Sequence, residues 1–193
     1  MEPHPGWKRL KSRVHLRRHK IPVTGAAAAR QTEDLRRTIE QEAALVFTGF
    51  DEQSAFEIGC AIRSSALIWA HSLVIDIRLW DRQLFHAALA GATAATAESA
   101  RRKLNSVRMF QKSSYRLALE QQREDRTFPP GYGLNPADYV LAGGAFPIRV
   151  QGVGVIGAVS ISGLSQRSDH HCAVTALCEY LGKGNERLFL DPD

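Results

Sequence analysis

No stretch of the 193-residue chain is apolar over anything near the ~20 residues that a membrane-spanning helix requires, so a helical membrane protein is excluded. The N-terminus has no apolar segment of the secretory type. Cysteine is scarce: Cys60, Cys172 and Cys178 form neither a C-x-x-C pair nor an even-numbered framework, which excludes a disulfide scaffold and suits a reducing compartment. A soluble cytoplasmic protein with free thiols is expected. Also missing are a P-loop, a dinucleotide fingerprint, a zinc-ligand spacing and a Ser-His-Asp order. These absences leave no ready-made catalytic constellation.

Acidic residues are nearly absent from one region. In residues 1–30 eight Lys and Arg face Glu2 alone, leaving +7 there and −2 over the other 163 residues. The basicity belongs to an extension, and with aromatic residues at 8% and none interleaved with that charge, the sequence argues against nucleic acid as a partner. Residues 1–31 read as a disordered basic extension, 32–182 as one domain and 183–193 as a loose tail.

Within the domain, Leu35, Ile39, Ala43 and Val46 predict a helix over 33–47 with an apolar stripe. Asp51 caps a second helix whose narrow face is Ala55, Ile58, Gly59, Ile62 and Ala66. Alternation predicts a hairpin from 73–79 and 83–88. A helix over 97–112 follows, then one through Tyr115 and Leu119, a Pro-Gly loop at 129–133, and a short helix from Asn135 to Leu141. The centre of the pattern is 146–162, where Phe146, Ile148 and Val150, then Val153, Val155, Val159 and Ile161, make a second hairpin around Gly152. Ser168 or Asp169 begins a last helix, ended by Gly182. Helices and antiparallel hairpins in this order give an α+β domain.

Chemistry-bearing residues are few. Arg101, Asn105, Arg108 and Lys112 share one helix face, which is either a solvated surface or an anion site. Arg101 and Arg108, seven residues apart, could each take one anionic group of a ligand ~10 Å long. His170 beside Asp169 is an acid-base candidate, although neighbours on a helix diverge by about 100°, so a packed histidine is the plainer reading. His86 could ligate iron or face the flanking helices. Asp76, Arg78 and Arg149 either pair at the sheet surface or join Arg101 and Arg108.

Several segments together resemble the haem-degrading-domain family of HbpS and GlcG, and its compact cytoplasmic branch in particular. They are Phe50-Asp51, Val74-Ile75-Asp76-Ile77, Gln83-Leu84-Phe85-His86, Arg101-Arg102-Lys103-x-Asn105-x-x-Arg108-x-Phe110, Gly143-Gly144-x-Phe146-Pro147-Ile148-Arg149, Gly152-x-Gly154, and Ser162-Gly163-Leu164 with Asp169-His170. The resemblance spans about residues 33–182. It implies a profilin-like antiparallel sheet flanked by helices, assembly into homo-oligomers, and haem binding or breakdown in particular members. One departure is Ser99-Ala100, where the family commonly has a Trp-apolar pair.

Three functions therefore compete: an oligomeric binder of a small anionic ligand, haem included; a non-enzymatic interaction scaffold; and an enzyme acting on haem or a carboxylated metabolite. The ligand-facing group expected of the binder is Arg101, Asn105, Arg108, Arg149 and His170.

Overall fold

The computed structural model describes residues 25–184 and 188–190. Its elements are α1 (Gly25–Ala44), β1 (Val46–Phe47), α2 (Glu52–Ile68), β2 (Val74–Leu79), β3 (Gln83–Ala88), α3 (Ala94–Phe110), α4 (Ser114–Gln121), β4 (Ala145–Val150), β5 (Gly154–Ser162) and α5 (Gln166–Tyr180), with a single 3-10 turn at Pro130–Tyr132. The strands form one sheet in the order β1-β4-β5-β2-β3. Both expected hairpins lie in it, and β5 joins them by pairing antiparallel with β4 and β2. The sheet is mixed rather than purely antiparallel, because β1 runs parallel to β4 through Val46 and Phe47.

Cross-strand partners put Ile75, Ile77, Phe146, Ile148, Val159 and Ile161 on one face of the sheet, all fully buried. Against them pack Ala55, Ile58 and Ile62 of α2 and Ala173, Val174 and Leu177 of α5. Burial of each large aliphatic chain contributes about 1.5–3 kcal/mol, so this layer dominates the apolar stabilisation. Gly59 lets α2 lie directly on β3, since a Cβ there would stand 2.5 Å from the Phe85 ring. The opposite face carries small residues, Ala145 and Ala158, under Leu104 and Val107 of α3.

Several boundaries differ from those expected. The first 24 residues of the basic extension lie outside the described residues, while 25–31 belong to α1. That helix stops at Ala44, and Val46-Phe47 becomes an edge strand because Arg149 and Val150 offer it a parallel ladder. Its buried side is polar, consisting of Asp34, Thr38, Gln41 and Glu42, while Ile39 is 41% exposed. Thr93 caps α3 three residues early through a capping box with Thr96. Residues 135–139 form a turn instead of a helix, with the Asn135 carbonyl accepting from the Asp138 and Tyr139 amides. Ser165 caps α5 ahead of the expected position. In the supposed loose tail Leu188 and Leu190 are buried, and the Gln41 amide donates to the Leu188 carbonyl at 2.6 Å.

Candidate functional site

The five expected ligand-facing residues do not converge. Arg101 is held by Glu98 (Nη2–Oε1 2.6 Å) and by Asp138 (Nη1–Oδ1 3.1 Å), and it donates to the Ala137 carbonyl. Asn105 donates to the Asp138 carbonyl at 2.9 Å. Both therefore clamp the 135–139 turn onto α3. Arg108 is exposed further along the same helix, and Arg149 reaches the Gln111 carbonyl at 3.4 Å, beyond the end of α3. His170 is fully buried in the core, its ring 4.9 Å from Tyr115 and 5.9 Å from Phe146. A group with no exposed surface cannot face a ligand, so the joining of His170 to Arg101 and Arg108 is corrected.

Asp76 and Arg78 pair with each other, Nη2–Oδ2 being 2.6 Å, and Gln83 also donates to Asp76. His86 sits 3.9 Å from the same carboxylate at the sheet edge. Among the described residues no group of three His, Cys, Asp or Glu side chains is arranged to hold a metal ion.

A substantial cavity lies elsewhere. A half-open groove of about 1210 Å³ runs between α2 and α5. This exceeds the roughly 300–1,000 Å³ usual for small-molecule sites. Its apolar walls come from α2 (Ala61, Ile62, Ala66), from Leu73 and Leu164, and from Ala176 of α5, with Trp69 and Phe189 also lining it. The spacing of α5 sends Arg167, His171 and Thr175, each four residues apart, to one wall. Arg37 joins them from α1 and His71 from the connection before β2.

Two arginines, Arg37 and Arg167, and one carboxylate, Glu179, line the groove, and both arginines are held in ion pairs, Arg37 by Glu33. Arg167 is set there by Asp34, which accepts from its Nε at 2.8 Å and its Nη2 at 3.1 Å. The positive end of the helix dipole lies beside it, with Ser165 and Ser168 lining the same region. Burial, with the Arg167 charge adding to it, holds the His171 imidazole below its ordinary value. Burial raises the Cys172 thiol, and the Asp169 charge adds to the shift, so this groove residue stays protonated. Sequence reasoning missed the groove because its walls come from α2, α5 and a terminal segment far apart in the chain. The small-residue stripe of α2 was its visible trace, while the histidine singled out from sequence was His170 beside Asp169 and not His171, which lines the groove.

Comparisons agree with this fold. Residues 50–178 match the family described as haem degrading protein HbpS-like. A UPF0303 protein of Mesorhizobium japonicum is 51% identical over 158 residues, covering 82% of this chain and 95% of the relative. The crystal structure of the Ybr137w protein superposes with a TM-score of 0.70 at 25% identity, over 77% of this chain and 88% of the other. A structure described as a PduOC–haem complex superposes with a TM-score of 0.56 at 19% identity, over 69% and 94%.

Proposed function

The chain belongs to the HbpS-like haem-degrading protein family, and from that membership we propose that it binds a flat, largely apolar ligand with anionic groups, of the haem class, in the groove between α2 and α5. The observation that carries this reading is a largely apolar groove of about 1210 Å³ that is also lined by Arg37 and Arg167. An apolar slot favours a planar hydrophobic body, and guanidinium groups beside a helix N-terminus favour carboxylates. Ile62, Leu73 and Ala176 would hold the apolar body of such a ligand, and Arg37 and Arg167 would share their guanidinium groups between its carboxylates and their present partners Glu33 and Asp34. Bound haem would supply a redox-active iron.

Hemin titration tests the reading. A saturable Soret shift is expected, and Ala61→Trp, which places an indole in the groove from an exposed position, should weaken it about tenfold or more without lowering Tm. Absence of a shift in the unmodified protein would refute the proposal.

A second reading, assembly into a homo-oligomer, has its own support. Leu67, Ile68 and Trp69 at the end of α2 are 53%, 79% and 70% exposed, an apolar tip that association would cover. Light scattering is expected to give a multiple of 21.3 kDa, and Ile68→Asp to move the mass toward that value. A monomer at high concentration would sink this reading.

A further inference from the structure

Strand β3 closes the sheet on one side and β1 on the other. The β1 edge is two residues long, whereas β3 runs over six. The Leu89 amide donates to the Leu73 carbonyl at 2.8 Å, which fixes the alternation along β3: Phe85 and Ala87 turn their backbone groups to β2, and His86 and Ala88 turn theirs outward. No other strand among the described residues meets them. The pairing skips Leu84, so a bulge blunts the start of β3 alone, and residues 84–88 include no Pro, Lys, Arg, Asp or Glu. Such an edge is a template for another strand.

Helix α2 carries an apolar row beside that edge. Phe56, Cys60, Arg63 and Leu67, at spacings of four, three and four, lie on the side of α2 away from the groove, whose α2 lining is Ala61, Ile62, Ser65 and Ala66. Phe56 stands against Phe85, ring centroids 6.5 Å apart, and Glu52 pairs with Arg82 at 2.6 Å. Phe56 and Leu67 are nevertheless 57% and 53% exposed. Two large apolar side chains and a row of open backbone groups thus share one surface.

We infer that this surface, the β3 edge with the Phe56–Leu67 row of α2, is where a second copy of the chain docks about a two-fold axis, an inference that rests on the self-association reading above. A two-fold through Ala87 sets His86 of each copy against the partner's Ala88, which pairs all four outward amides with carbonyls. The same axis suits α2. Glu52 lies by Arg82 and Gly59 by Phe85, so α2 runs in the direction of β3, and the midpoint of its row is ~4 Å beyond Gly59, within about one strand residue of Ala87. Each Phe56 then faces the partner's Leu67. With strands ~4.8 Å apart and α2 lying over β3 and β2, the two α2 axes come ~10 Å apart, the spacing of packed helices. A lone strand from another protein would pair with the edge but leave the α2 row in water, so a second copy is the better fit.

Light scattering on the full-length protein tests the surface with two variants that leave each copy's internal hydrogen bonds in place. Ala88→Pro removes an outward amide, and Phe56→Asp puts a charge into the exposed row; each is expected to lower the mass of the assembly, association weakening about tenfold or more, with the circular dichroism spectrum unchanged. In a Cys60→Ser background, Ala87→Cys should cross-link on oxidation to twice 21.3 kDa, because the two Cα atoms at that position would be about 4.5 Å apart, whereas Gln83→Cys should not. Variants that keep the wild-type mass, or an Ala87→Cys that does not cross-link, overturn this surface while leaving self-association standing. A monomeric wild type overturns both.

Discussion

Lys103→Met is expected to cost the fold about 3–5 kcal/mol, the range for leaving one member of a buried ion pair without its partner. Lys103 Nζ lies 2.7 Å from Asp169 Oδ2, and their side chains are 3% and 2% exposed. The ammonium also donates to the Ile161 carbonyl at 3.0 Å, while Asp169 Oδ1 accepts the Leu164 amide at 2.9 Å. The pair therefore ties α3, the end of the central strand β5 and the start of α5 together. Gly144 is required beside it: at φ +126°, a Cβ there would stand 2.3 Å from the Ile161 carbonyl oxygen and 2.8 Å from Lys103 Nζ. With domain stabilities of about 5–15 kcal/mol, losing the cation alone threatens folding. Lys103→Met/Asp169→Asn removes both charges and keeps an acceptor for the Leu164 amide, so urea unfolding should show most of the loss recovered. A loss below about 1 kcal/mol for the single variant would show that the pair is not the buried, mutually compensating contact described here.

This pair explains what the sequence could and could not reveal. The hairpins were legible because period-two alternation at Ile75, Ile77, Phe146, Ile148, Val159 and Ile161 is imposed directly by burial of one sheet face. The α2 stripe was legible for the same reason at the helical period. Helix α1 was misread because its contacts are hydrogen bonds: Asp34 meets Tyr115 and Arg167, and Glu42 meets the Ser113 amide and Arg116. Hydropathy sees such a face as solvent. Asp169 and His170 suggested chemistry, yet Asp169 pairs with Lys103 of α3 and His170 is packed in the core against Gln41 of α1. Arg101 and Asn105 likewise bind a turn whose identity depends on residues more than 30 positions away. Charge on a helix face is visible in sequence, whereas the partner that occupies it is set by tertiary packing.

Acidification should weaken the protein through His170, and His170→Gln should remove that component. The Gln41 amide nitrogen donates to the Leu188 carbonyl, so Gln41 Oε1 is the acceptor facing His170 Nε2 at 2.8 Å. Nε2 therefore carries the proton, and the buried Nδ1 has no hydrogen-bond partner. Protonating Nδ1 would create an unpaired cation between Tyr115 and Phe146. Burial is the main reason the imidazole is pushed down from 6.5 to about 3; the charges of His171 and Arg167 add to it and Asp34 opposes it. Because the folded value lies below the unfolded one, the unfolded chain binds the extra proton between them. The stabilisation is complete above pH 6.5, falls as pH drops toward 3, and changes no further below that. Each pH unit in this window is worth about 1.4 kcal/mol, so on the order of 5 kcal/mol is lost across it. Gln at 170 cannot titrate and retains a donor for Gln41, while the other histidines and the carboxylates act equally in both proteins. Between pH 7 and pH 5 the stability difference between wild type and His170→Gln, measured by urea unfolding, should shift by about 2 kcal/mol in the variant's favour. Parallel stability curves over that interval would mean that His170 gains a proton without leaving the fold, which would contradict its burial as a neutral core side chain.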